Sequence, residues 1–453
     1  MEKVDYQAKC LNQLQQSVAL LGGDGQSPLL AETAELIIRS MTGPWRSFHT
    51  PEHIFDVGQG GGPVEILAAL FHDVVYVQID LGINVNLCRF VAPYIKEVDQ
   101  TLVIDPQVDP QDELFQILLT LFGFAPGHKL SPFAGQNEFL SAVVAVKCLQ
   151  PLLPTAVLVQ IAACIEATIP FRGPSADGQW CSDVLLQRLQ EVNASAHLGM
   201  DLATCQATVA MGVRVSNRDI DNFASEHAGD FLNNTWDLIP ETNHELVSVN
   251  SYTVQGYRLS LQKMEGFLGF LKPEVVFRRF GDEPSEKEHQ RRLALTQRNL
   301  EVARMYLRVK LVTIALLEAL SLRIGQNVAM ATLMGEIASK NEENSPSMEQ
   351  FLPEMRPLPQ MNGEIEPIVM DLLEVGRTAE SAHDTRHSPV SSYLVRQIGF
   401  EATLALLAPV RAFIADPSTA PQLLAACDPQ VRDGLVNAIA QVIHVRGRAL
   451  LSA

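Results

Sequence analysis

At 453 residues the chain exceeds what one hydrophobic core ordinarily organises, and it implies two or three domains. A hydrophobic share of 47% excludes extensive disorder, and the low aromatic share of 6% favours helices over a β-sandwich. The net charge of −18 argues against a general nucleic-acid or anionic-membrane binder, yet leaves room for a small phosphorylated substrate, because one cation and a few arginines invert a local field.

The N-terminal sixteen residues, MEKVDYQAKCLNQLQQ, hold no apolar signal core. A first amphipathic helix is predicted over Leu11 to Leu21, stopped by Gly22-Gly23. A second runs from Leu29 to Met41, with Ser27 as cap and Pro28 in its first turn, and Gly43-Pro44 breaks it. A helix carrying His49 and His53 follows, then the loop GQGGGP (58–63), then a helix from about Val64 that carries His72-Asp73. The glycine loop has no downstream Gly-Lys-Ser/Thr and follows no predicted strand, so it reads as a helix connection and not a phosphate loop.

Further helices are predicted at Val85 to Val98, Gln111 to Leu121, Asn137 to Leu149, Thr155 to Thr168, Val184 to Ala194, Leu202 to Val215 and from Asp219 onward, with no run of alternating strands. From about Tyr252 a new region begins. Its long helix, Ser285 to Leu322, is charged at the start and apolar at the end, which predicts an exposed start and a buried finish. A polar, Pro-rich stretch, Asn341 to Pro367, reads as a loop, and the last helix as Pro429 to Leu451. The expected fold is all-α. Seven scattered cysteines without a Cys-x-x-Cys pair, Cys148 and Cys164 in apolar runs among them, indicate buried thiols in a reducing compartment. The apolar runs are too short or too interrupted to span a bilayer. A cytoplasmic protein without a membrane or nucleic-acid partner is expected.

Two segments carry chemistry. In FHTPEHIFDV (48–57), His49 and His53 stand four apart, on one face if the segment is helical. In LAALFHDVVY (67–76), the pair His72-Asp73 lies inside an apolar run, where each is costly unless partnered. A cation is the simplest common partner, since it accepts imidazole nitrogen and carboxylate oxygen together.

Over roughly residues 40 to 235 the ordered set, a histidine, a later His-Asp and a distant aspartate, resembles the HD superfamily of metal-dependent phosphohydrolases. FHTPEHIFDV also looks like the start of the cyclic-nucleotide phosphodiesterase site. The resemblance implies an HD-like helical bundle over residues 1–245, an added helical region over 246–453, and a divalent ion (Mn, Fe, Mg, Zn or Ni) held by His53, His72, Asp73 and Asp219. Asp221 is the alternative to Asp219. His49 falls at the proton donor's place. Arg46, three residues earlier, is a candidate phosphate contact because its fork matches phosphate oxygens.

GQNEFLSA (135–142) resembles the Asn-Glu-x-x-Ser-Ala segment of a bacterial HD subgroup, which makes Glu138 a candidate to orient the attacking water. CIEATIPFRG (164–173) departs from the family: Phe171 and Arg172 stand where relatives place a histidine. A mononuclear site or a weak second metal is therefore expected, and Arg172 could meet the substrate's phosphate in place of a second cation. Glu166, on an apolar helix, requires an arginine or hydrogen-bond partner. A second His-Asp pair in SAHDTRHSPV (381–390), with His383 and His387 four apart, sits in a polar stretch and is not read as a metal site. The expected activity is hydrolysis of a small phosphate ester, a nucleotide or cyclic nucleotide among them. The rival is a helical scaffold or sensor that kept a degenerate site. Dimerisation and lid formation are both open for the C-terminal region, as is a homo-oligomeric state.

Overall fold

The computed structural model describes residues 4–244, 246, 252–335, 347–358, 360–381, 383–443 and 450. Their regular secondary structure is helical apart from one two-stranded hairpin. The chain divides into two compact units, residues 1–221 with 272–294 and residues 222–271 with 295–453. Among the described residues no single helix is long and apolar enough to cross a membrane.

In the first unit, Pro51–Gly58 starts with proline at its first position, which is preset for a helical φ. Pro63–Phe71 starts the same way, and its sequence PVEILAALF is buried over most of its length. It packs on Thr155–Ala167 and on Leu202–Asp219, two further helices of the same core. Gly212 allows the close approach of that last pair: a Cβ there would lie 2.8 Å from the Ala167 methyl.

The glycine connection between the first two of these helices is clamped at both ends. Glu65 accepts the Gly62 N–H at 2.8 Å and a hydrogen bond from Arg214 at 2.9 Å. Arg218 donates to the Val57 carbonyl at 2.6 Å. Since Arg214 and Arg218 lie on the helix that ends at Asp219, this clamp fixes that end against the His53 helix.

Several expected elements are corrected. The helix predicted over Val85 to Val98 is a single turn, Cys88–Val91, followed by strand Ile95–Val98 paired antiparallel with Thr101–Ile104. The turn residues Asp99 and Gln100 have φ of 48° and 61°, the hairpin conformation usually signalled by Asn-Gly. No glycine marks it here. His49 precedes the His53 helix instead of lying in it. Asp219 ends a helix instead of starting one. The first helix begins earlier, at Tyr6, capped by Asp5.

Glu286–Ser321 forms as expected, exposed at its start and almost wholly buried from Leu300 on. The last helix is Pro429–Val442; residues 444–449 of the predicted span lie outside the described residues. So do residues 341–346 of the predicted loop, while Met348–Phe351 forms a 3-10 turn and a helix starts at Ile365.

The second unit is organised around Asp384. Its Oδ2 accepts from Tyr257 at 2.7 Å, Trp236 Nε1 at 2.8 Å, Lys310 at 2.8 Å and Arg377 at 3.4 Å. Both cations also lie over the Trp236 ring, at 5.2 Å and 4.4 Å. Burial opposes ionisation, but Lys310 and Arg377 hold Asp384 down at about 2. A carboxylate so depressed adds stability that is complete above its unfolded value and lost as pH falls through about 2. Asp384→Ala leaves two buried cations without their acceptor. The expected cost is about 3–5 kcal/mol. Thermal or urea unfolding measures it, and a change below about 1 kcal/mol would remove Asp384 from its central place.

Candidate metal centre

Four donor atoms from three helices and their ends converge in the first unit. His53 lies on Pro51–Gly58, His72 caps the C-terminus of Pro63–Phe71, Asp73 follows it, and Asp219 ends Leu202–Asp219. Their donor atoms all lie within 4.8 Å of one another.

Nitrogen and oxygen alternate around this ring. His53 Nε2 is 3.0 Å from Asp219 Oδ1 and 3.4 Å from Asp73 Oδ2. His72 Nε2 is 3.0 Å from Asp73 Oδ2 and 3.4 Å from Asp219 Oδ1. Donors each about 2.1 Å from one ion are spaced by about 3.0 Å at right angles and about 3.4 Å at tetrahedral angles. The ring therefore has the size of one divalent ion's inner coordination sphere.

Two further features fit a cation. His72 Nδ1 donates to the Ala69 carbonyl at 2.8 Å, which fixes the ring and aims Nε2 into the centre. That Nε2 is buried and makes no hydrogen bond of acceptable geometry. Asp219, for its part, places a half-buried negative charge at the negative end of an 18-residue helix, the unfavourable end for a carboxylate. A cation at the ring offsets that cost.

The electrostatics are those of a site awaiting positive charge. Burial opposes a charged His53, but hydrogen bonds to Asp219 and Asp73 raise it to about 9. His72 is raised well above its ordinary value against the same burial, by Asp73 and then Asp219. Burial likewise opposes ionisation of Asp219, yet His72 and His53 pull it down to about 2, and Asp73 falls well below the usual carboxylate range. Without an ion, protons on the two imidazoles balance the two carboxylates.

The other expected site residues divide. His49 sits at the ring's edge, its Nε2 3.9 Å from Asp73 Oδ2 and its imidazole edge-on to Tyr76 at 4.6 Å. Glu138 lies in the first turn of Gln136–Leu149, half-buried, with its Oε2 atom shielded from solvent and unpartnered. Burial first, with Asp73 and Asp219 adding to it, pushes it up to about 7.

The two arginines are occupied. Arg46 grips Asp80 through Nε at 3.0 Å and Nη2 at 2.7 Å, and donates from Nη1 to the Asp73 carbonyl at 2.8 Å. Arg172 is doubly bonded to Glu166, at 2.6 and 3.1 Å, which gives Glu166 the partner it requires. Neither guanidinium is open to a phosphate as expected: Arg46 holds the backbone under Asp73, and Arg172 neutralises a buried carboxylate. Asp221, the alternative to Asp219, pairs with Arg292 at 3.2 Å and is not in the ring.

Sequence reasoning missed the braces of the loop after Asp73. Ser141 accepts the Val75 N–H at 3.1 Å and Asn137 accepts the Val77 N–H at 3.2 Å. Their i, i+4 spacing within GQNEFLSA was a readable signal that both face one way. Asp80 gave no such signal, because its partner Arg46 lies 34 residues away.

No family model, curated protein or solved structure matches the chain.

Metal uptake has to displace protons, because an ion binds neutral imidazole. Calorimetric titration with Mn²⁺ near pH 7, repeated in buffers of different ionisation enthalpy, is expected to show release of about two protons, with affinity rising with pH. Asp73→Ala is expected to abolish uptake. Stoichiometric binding by Asp73→Ala, without proton release, would place the ion elsewhere.

Proposed function

We propose that the first unit is a metal-dependent phosphohydrolase of the HD type, acting on a small phosphate ester of the nucleotide or cyclic-nucleotide class. The observation that carries this reading is the four-donor ring with Glu138, whose Oε2 is shielded and unpartnered, close enough for Asp73 and Asp219 to raise it, and an imidazole, His49, at the ring's edge. A bound divalent cation supplies Lewis-acid polarisation of a phosphoryl oxygen and a more acidic water.

The remaining chemistry belongs to the chain. Glu138, raised to about 7, takes a proton at Oε2 from the attacking water; its environment keeps it basic enough for that task. His49 delivers a proton from Nε2 to the leaving oxygen. Its packing against Phe48, at 4.9 Å, and Tyr76 limits where that nitrogen points. Arg46, by holding Asp73 and Asp80 together, keeps the loop that presents one ring oxygen from relaxing.

A second reading, a non-catalytic scaffold with a retained metal ring, draws on a specific observation: both arginines expected to meet phosphate are spent on carboxylates. Activity separates the two. With Mn²⁺ present, a panel of phosphomonoesters, nucleotides and cyclic nucleotides is expected to contain at least one substrate. Glu138→Gln and His49→Ala each lower turnover by about 10²–10⁴-fold while metal content stays stoichiometric. Turnover falls as pH drops below the Glu138 pKa, which the cation moves to 7 or lower. Full metal occupancy with no ester hydrolysed gives the scaffold reading.

A further inference from the structure

A cavity in the first unit, about 900 Å³ including its open mouth, shares no lining residue with the metal ring. The segment around residues 272–294 closes one side of it, and the N-terminus of the 15-residue helix Cys181–Ser195 opens onto the other through Cys181 and Ser182. The backbone N–H groups of those two first positions have no partner within their helix.

Arg278 lines the cavity and is buried. Its Nη1 and Nη2 donate to the Ala167 and Ile169 carbonyls, neutral acceptors, and its Nε has no partner at all. The backbone around it is fixed by a two-way bond with Asn217: Arg278 N–H donates to Asn217 Oδ1 at 3.0 Å, and Asn217 Nδ2 donates to the Arg278 carbonyl at 2.9 Å. His289 also lines the cavity, and its Nδ1 is buried and unpartnered.

Glu274 and Glu286 line the cavity, and Glu166 and Asp219 act on Arg278 through space, but no described hydrogen bond joins any of these carboxylates to it. Glu166 is taken by Arg172, Glu286 by Arg279 at 3.0 Å, and Asp183 by the Trp180 N–H at 3.1 Å. Desolvation, helped by Arg279 and Arg292 and opposed by Glu286, keeps His289 below its ordinary value. A buried cation whose hydrogen bonds go to neutral acceptors, an unpartnered imidazole nitrogen and a helix N-terminus meet on one cavity, beside the carboxylates Glu274 and Glu286. Aromatic surface stands at its edge in Trp180, 39% exposed, and Phe277 lines it.

We propose that this cavity binds a nucleoside monophosphate, with the phosphoryl group against Arg278, His289 and the start of the Cys181–Ser195 helix, and the base against Trp180. The site shares no lining residue with the metal ring and does not depend on the reading of that ring, although Asp219 lies close enough to act on Arg278 through space.

The test is titration of the full chain with AMP and with inorganic phosphate in excess EDTA, which leaves the metal ring empty. Calorimetry and tryptophan fluorescence are the readouts. Both probes are expected to bind, AMP more tightly and with a change in Trp180 emission. Arg278→Gln and His289→Ala are each expected to weaken both probes by about tenfold or more. Trp180→Ala weakens AMP and leaves phosphate unchanged. Should Arg278→Gln fail to fold by circular dichroism, His289→Ala decides alone. Absence of binding at millimolar concentration of either probe, or affinity undiminished in His289→Ala, overturns the site; AMP binding no tighter than phosphate overturns the nucleoside part.

Discussion

Two carboxylates held within one ion's coordination sphere are the constraint on which the first unit depends. Asp73 and Asp219 come from segments 146 residues apart in sequence and meet the same two imidazoles. Their mutual repulsion and desolvation cost several kcal/mol per ion in a dry interior. The structure meets that cost with protons on His53 and His72 or with one cation, and a cation satisfies all four donors at once. The surrounding packing holds this arrangement together: the Gly212 approach, the Glu65–Arg214–Arg218 clamp on the glycine connection, and the Arg46–Asp80 grip beneath Asp73. These contacts keep the ring at one size, and size is what makes four side chains a site for an ion and not a set of separate ion pairs.

The two His-Asp dipeptides of this chain show how little the dipeptide itself specifies. At residues 72 and 73 the histidine turns Nε2 inward and the aspartate faces a second carboxylate. At residues 383 and 384 the aspartate faces two cations, Tyr257 and Trp236, and the histidine is held down at about 4, chiefly by desolvation. The same two side chains complete a ring of four donors sized for an ion in one environment and form the structural centre of a unit in the other. What differs is the charge each neighbourhood supplies.

Much of the ring was legible because its determinants are local. A histidine one turn into a helix that starts at Pro51, and a His-Asp pair at the end of an apolar helix, are visible as patterns of residue type and spacing. Asp219 was reached through family resemblance, and its local setting was misread: the sequence around it suggests a helix start, whereas the backbone ends there and the charge sits at the costly end of the dipole. The braces were less legible because each depends on a partner far along the chain, as Arg46 does on Asp80 and Arg278 does on Asn217. The hairpin at 95–104 was missed for a different reason. Asp99 and Gln100 adopt left-handed conformations that side chains tolerate only when the flanking strands hold them there, so no glycine announced the turn.

The most direct test of the account is anomalous diffraction from crystals equilibrated with Mn²⁺. A single strong peak about 2.0–2.3 Å from His53 Nε2, His72 Nε2, Asp73 Oδ2 and Asp219 Oδ1 is the predicted result. A ring that stays free of anomalous signal, with the imidazoles hydrogen-bonded directly to the carboxylates at saturating Mn²⁺, would contradict it.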